Sequence, residues 1–142
     1  MQDCKQYADE MIKLRREIHR RPEEGWTEFE TQWKVYQALK PLGWKIRMGT
    51  DVIKPEAVMG RDPARVEKAM ARAAEHGVPE DFLKATEGYT GLVADFDTGR
   101  AGPVTGFRFD MDCVLVEELH DASHLPAAEG FDSEVPGHMH SC

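Results

Sequence analysis

An α/β fold, with helices packed on a mixed sheet, is predicted by three features of the 142-residue sequence. Two amphipathic helical patterns open the chain, and a capped Ala-rich helix follows. From Gly91 the apolar spacing shortens to that of strands. The length suits one compact domain able to bury a core, and 41% hydrophobic with 31% charged residues is an ordinary globular balance.

Tyr7, Met11, Leu14 and Ile18 are spaced four, three and four apart, one face of a helix. Arg15, Arg16, Arg20 and Arg21 suit its C-terminal end, and Pro22 stops it. A second helix starts at a capping-box pair, Thr27 and Glu30, with Phe29, Trp33, Tyr36 and Leu39 on its apolar face. Gly43 is placed to close it as a left-handed cap, and Trp44 to Met48 reads as a short strand. After a loop from Thr50 to Gly60, Asp62 and Pro63 read as N-cap and first helical position of a helix through Glu75. Gly77 and Pro79 punctuate it before a short helix near Glu80 to Thr86. Its stripe of Val66, Met70 and Ala73 is thin, so a peripheral helical insertion over 62–87 is expected. Gly91 to Asp97 and Val104 to Met111 then read as two strands of a hairpin, and an irregular run rich in acids and His follows Asp112.

The net charge of −8 leaves no cationic surplus to displace phosphate counterions, which argues against nucleic acid and anionic lipid as partners. No apolar run approaches the ~20 residues needed to span a bilayer. The Met-Gln-Asp-Cys-Lys-Gln start lacks the basic-then-apolar pattern of a signal peptide. Cys4, Cys113 and Cys142 are odd in number and far apart, which speaks against a disulfide framework and for the cytoplasm.

On a continuous strand Arg108, Asp110 and Asp112 would point the same way, two carboxylates presented to a metal or to its histidine ligands. A solvated strand end beside Glu117 and Glu118 is an equal reading. His138, His140 and Cys142 alternate at the tail, and imidazole and thiolate are zinc-type ligands. The same composition also fits a terminus with chance histidines. His120 and His124 could pair across a helical turn, but Pro126 favours a surface loop. His19 reads as a cap or packing residue, His76 as a helix-end cation, and Cys4 as without a role.

Three stretches together carry a resemblance. The run from Leu14 to Glu24 holds His19, Pro22 and Glu23 in a His-x-x-Pro-Glu pattern. Gly102-Pro103 precedes Arg108-x-Asp110-Met111-Asp112, and Gly137-His138-Met139-His140-Ser141-Cys142 resembles the start of a Met-His-Ala-Cys-Gly-His-Asp motif. In that order they resemble the M20-type metal-dependent amidohydrolases over nearly the whole chain. Glu24 to Phe29, Gly88 to Gly91, Asp97 to Arg100 and Ala122 to His124 are closest to the branch that hydrolyses p-aminobenzoyl-glutamate. Departures fall at Cys113, Val114 and Ser141.

The resemblance implies the N-terminal part of a zinc-peptidase-like catalytic domain, with Cys142 as a metal ligand and Asp110, Asp112 and His140 beside the metal rather than on it. It places the catalytic Glu, the other ligands and the lid or dimerisation domain beyond residue 142, so residues 1–142 are an incomplete catalytic domain and no catalytic residue is assigned within them. The implied cofactors are divalent Mn or Zn ions, not retained by this chain alone. The implied substrate is a small N-acyl amino acid, and the implied partner is a second hydrolase subunit or a further copy in a homo-oligomer. As written, the chain is expected to be inactive and prone to self-association. Other N-acyl-amino-acid deacylases or aminoacylases of the family are the alternative activity. Asp110-x-Asp112 also resembles the opening motif of haloacid-dehalogenase-type phosphatases, against which Cys113 and the late position count. A non-catalytic interaction module is the remaining reading.

Overall fold

The computed structural model describes residues 4–141, which fall into two compact units. One comprises the residues up to Glu24 and the run from Asp112 onward; the other is Gly25–Met111.

In the first unit, helix α1 (Ala8–Arg20) follows a 3-10 turn at Cys4–Tyr7 and ends where predicted. Its expected apolar stripe is only half used. Leu14 and Ile18 are part-buried, but Tyr7 and Met11 are exposed, because the segment from Asp112 onward covers only the C-terminal half of the helix. That segment is irregular, as expected, apart from the four-residue helix α5 (Leu125–Ala128) and an antiparallel bridge between Val114 and Met139.

The second unit holds α2 (Phe29–Leu39), α3 (Pro63–Glu75), α4 (Glu80–Ala85) and strands β1 (Lys45–Met48) and β2 (Leu92–Asp95). Glu28 takes the N-cap position of α2 without a side-chain cap bond, one residue after the predicted Thr27. Gly43 adopts the left-handed conformation (φ 79°) after a 3-10 extension of that helix. Asp62 caps α3 as predicted, accepting the Ala64 amide at 2.9 Å, with Pro63 in the first turn.

The 62–87 segment is not peripheral to its unit. Val66, Ala69 and Ala73 of α3, with Val78, Phe82 and Leu83, close around Phe29 of α2 and form the buried cluster of this unit. The thin stripe suffices because alanines let α3 approach closely, while Phe82 packs among Trp33 (4.7 Å) and Tyr36 (5.2 Å) ring centroids. Polar ties join the same pieces: Glu30 Oε1 meets Arg72 Nε at 3.1 Å and His76 Nδ1 at 2.9 Å, and Gln32 exchanges two bonds with the Gly91 backbone. His76 thus also makes a hydrogen bond to α2, beyond its place at a helix end.

The sheet also differs from expectation. β2 pairs antiparallel with β1, Met48 opposite Leu92 and Lys45 opposite Asp95. The predicted hairpin with Val104 to Met111 does not form, and that run is extended and irregular. Backbone N–H and C=O groups hold a strand only against a neighbouring ladder. None of the described residues offers one here, and Gly102, Pro103 and Gly106 interrupt the run. Val104, Phe107 and Phe109 are left 100%, 80% and 81% exposed.

Candidate functional site

The first unit gathers most of the chemistry-bearing side chains. His19, on the last turn of α1, is 5% exposed, and its Nε2 lies 2.7 Å from Oε1 of Glu118, itself 3% exposed. The same oxygen meets His124 Nε2 at 2.9 Å, and Oε2 accepts the Ser133 amide. Burial alone would raise the Glu118 carboxyl. The hydrogen bonds from His19, Ser133 and His124, with the His19 charge, outweigh it and hold the group below its ordinary value. Phe131 packs edge-on against His19 at 5.6 Å, with the Arg16 guanidinium 4.5 Å from the ring centroid. Glu134 binds back to α1 through its amide, on Arg20 O at 2.8 Å, and through its carboxylate, on Arg20 and Arg21.

This framework pins the tail. Val114 and Met139 exchange two backbone bonds of 3.0 Å, the Cys113 amide donates to Glu23 O, and Glu117 accepts the Gly137 amide. His138 turns Nδ1 to Pro136 O at 2.8 Å and brings Nε2 within 3.8 Å of Glu24. His140 is 7% exposed; burial first, then the nearby His19 charge, pushes its pKa down, with Asp112 opposing. Two buried nitrogens, His19 Nδ1 and His140 Nε2, have no hydrogen-bond partner among the described residues. Near the surface, His120 sits between Asp132 (2.5 Å) and Glu117 (3.5 Å), and chiefly the Asp132 bond raises its pKa.

The sequence-derived candidates fare unevenly. His140 lies inside this framework, and Asp112 is exposed at its entrance to the unit. Asp110 is exposed and paired with Arg108 at 2.5 Å in the other unit, off any strand, so the alternation that would align Arg108, Asp110 and Asp112 does not arise. Cys142 lies outside the described residues. Among the described residues no group of three or more His, Cys, Asp or Glu converges to hold a metal ion. A divalent centre takes about three or four protein ligands, so these residues do not fit one by themselves. Sequence reasoning read His19 as a cap or packing residue and His124 as a loop residue, and did not foresee the Glu118 carboxylate that joins them. The one local signal was His19 within the His-x-x-Pro-Glu pattern.

No protein-family model matches the chain. Among curated proteins it is 43% identical over 135 residues to a p-aminobenzoyl-glutamate hydrolase homolog of Haemophilus influenzae, covering 94% of this chain and 32% of that protein. It is equally 43% identical, over 140 residues, to the indole-3-acetyl-aspartic acid hydrolase of Enterobacter agglomerans, covering 97% of this chain and 32% of that protein. The crystal structure of the aminobenzoyl-glutamate utilization protein from Klebsiella pneumoniae superposes with a TM-score of 0.72 at 44% identity, over 78% of this chain and 28% of that one. Over the stretch it spans, the chain is a homologue of the M20-type amidohydrolases. It spans about a third of the length of the curated relatives it matches. Against M20-type relatives named as hydrolases of acylated amino acids, the phosphatase reading of Asp110 and Asp112 finds no support. No helix among the described residues is long and apolar enough to cross a membrane.

Proposed function

We propose that this chain is part of a cytoplasmic amidohydrolase that cleaves p-aminobenzoyl-glutamate to p-aminobenzoate and glutamate. The carrying observation is the 43% identity over 94% of the chain to a p-aminobenzoyl-glutamate hydrolase homolog. Equal identity to an indole-3-acetyl-aspartic acid hydrolase favours a second reading: another N-acyl amino acid with an aromatic acyl half and an acidic amino acid. Both named substrates share that chemistry, an amide joining an aromatic group to an amino dicarboxylic acid. Hydrolysis in the complete protein depends on divalent ions of the Mn or Zn type. This reading gives Cys142 as one ligand, keeps Asp110, Asp112 and His140 beside the centre, and assigns the remaining ligands and the catalytic Glu to the part of the relatives that this chain does not span. The Haemophilus relative is named for one of a hydrolase's subunits, which supports a second, different subunit in the partner role. On this reading residues 1–142 form an incomplete catalytic domain and are inactive alone.

The test compares the complete protein encoded by the reading frame with residues 1–142, each incubated with p-aminobenzoyl-glutamate and with indole-3-acetyl-aspartate. Release by the complete protein alone supports the proposal, and the faster substrate decides between the two readings. No release from either substrate, or release by the short chain, contradicts it.

A further inference from the structure

The sequence motifs assign Glu118 no role, yet its carboxylate is buried and closely held. Its side chain is shut from solvent and takes three donors: His19 Nε2, His124 Nε2 and the Ser133 amide. A carboxylate so surrounded stays ionised and accepts, which requires a proton on His19 Nε2. The other ring nitrogen of His19, Nδ1, is buried with no partner among the described residues. A proton there would be a buried donor without an acceptor among the described residues. In the tautomer that donates from Nε2, the lone pair lies on Nδ1. Phe131 against one side of the ring and Arg16 over Phe131 keep the imidazole from turning. In the same unit His140 also holds a buried, unpartnered nitrogen, two residues before Cys142.

We propose that Glu118 is a positioning residue of the amide-hydrolysing reaction: through His19 it fixes one tautomer and presents Nδ1 as a buried acceptor in the unit that carries the His138 to Cys142 motif. The part of this that concerns the reaction rests on the proposed function; the tautomer does not. A helix-end histidine packed only for bulk would need no such carboxylate, and a purely structural staple would tolerate loss of Nδ1, which has no partner among the described residues. The acceptor suits an O–H or N–H donor supplied by substrate, water or another part of the complete protein.

The test has two readouts. Ring-nitrogen NMR of the full chain labelled with 15N-histidine is expected to show His19 protonated at Nε2 and bare at Nδ1, with the two tautomers mixed in Glu118→Gln. In the complete protein, His19→Gln keeps a donor for Glu118 but removes Nδ1, and His19→Asn does the reverse. With p-aminobenzoyl-glutamate, His19→Gln and Glu118→Gln are expected to lower kcat about 10–100-fold, the scale known for loss of the group that orients a metal-bound imidazole, with KM within about twofold. A proton on Nδ1 in the unsubstituted chain, or His19→Gln with full kcat, would overturn the inference. Absence of turnover in the unsubstituted complete protein instead removes the proposed function, and the NMR result then decides the tautomer alone.

Discussion

His19 and Glu118, 99 positions apart in sequence, meet at 2.7 Å with both side chains closed to solvent. Removing the carboxylate strands three donors at once. Glu118→Ala is expected to cost about 1–3 kcal/mol for each buried donor left unsatisfied, and Glu118→Gln less. Trp26, Trp33 and Trp44 all lie in the other unit, so tryptophan fluorescence will miss the change. Hydrogen exchange at the Met139 amide, bonded to Val114, reads it directly. Unchanged protection there would contradict the assignment.

The same carboxylate sets an acid limit. Its folded pKa lies below the ordinary 4.5, so its contribution is complete above that pH and is lost as pH falls through the lower, folded value. Met139 protection should therefore decline below pH 4.5 in the unsubstituted chain and vary less steeply in Glu118→Gln. A parallel decline in both would place the acid sensitivity elsewhere.

In the second unit, Phe29 is fully buried at the centre of the α2–α3–α4 cluster. Phe29→Ala should cost about 3–5 kcal/mol, measured as a drop in the urea midpoint followed by tryptophan fluorescence. Met59→Ala, at an exposed loop position, should fall within about 0.5 kcal/mol of the unsubstituted chain.

Gly49 separates backbone strain from crowding. At φ 63° a Cβ would stand 2.7 Å from Glu87 Oε2 and 3.0 Å from Ala85 O, where Glu87 binds both the amide and hydroxyl of Thr50. Gly60, at φ 73°, has open space instead. Gly49→Ala should lower the urea midpoint by the equivalent of about 1–3 kcal/mol, and Gly60→Ala by about 1 kcal/mol. Equal losses would mean that the Thr50–Glu87 clasp yields freely.

The run holding Val104, Phe107 and Phe109 leaves apolar side chains and unpaired backbone in solvent, a template for association. Sedimentation should show concentration-dependent self-association that Phe107→Lys with Phe109→Lys reduces. A monomer at all concentrations would contradict this.

Local chemistry made much of the fold legible. Asp62 with Pro63 fixed the start of α3, and Gly43 marked the end of the α2 extension, because caps and left-handed turns are written in adjacent residues. Val104 to Met111 was misread because a strand depends on a neighbour that periodicity does not reveal, and the depth of α3 was misread because alanine stripes bury by proximity rather than bulk. The site divides along the same line. His140 could be singled out from adjacent residues and lies buried in its unit, whereas His19, Glu118 and His124 join residues remote in sequence, which no spacing rule connects.

Amide hydrolysis is read from the product balance when p-aminobenzoyl-glutamate is incubated with the complete protein and a divalent ion. The expected products are p-aminobenzoate and glutamate in equal amounts, rising with enzyme concentration and abolished by a chelator. Intact substrate after prolonged incubation, with indole-3-acetyl-aspartate also untouched, would contradict it.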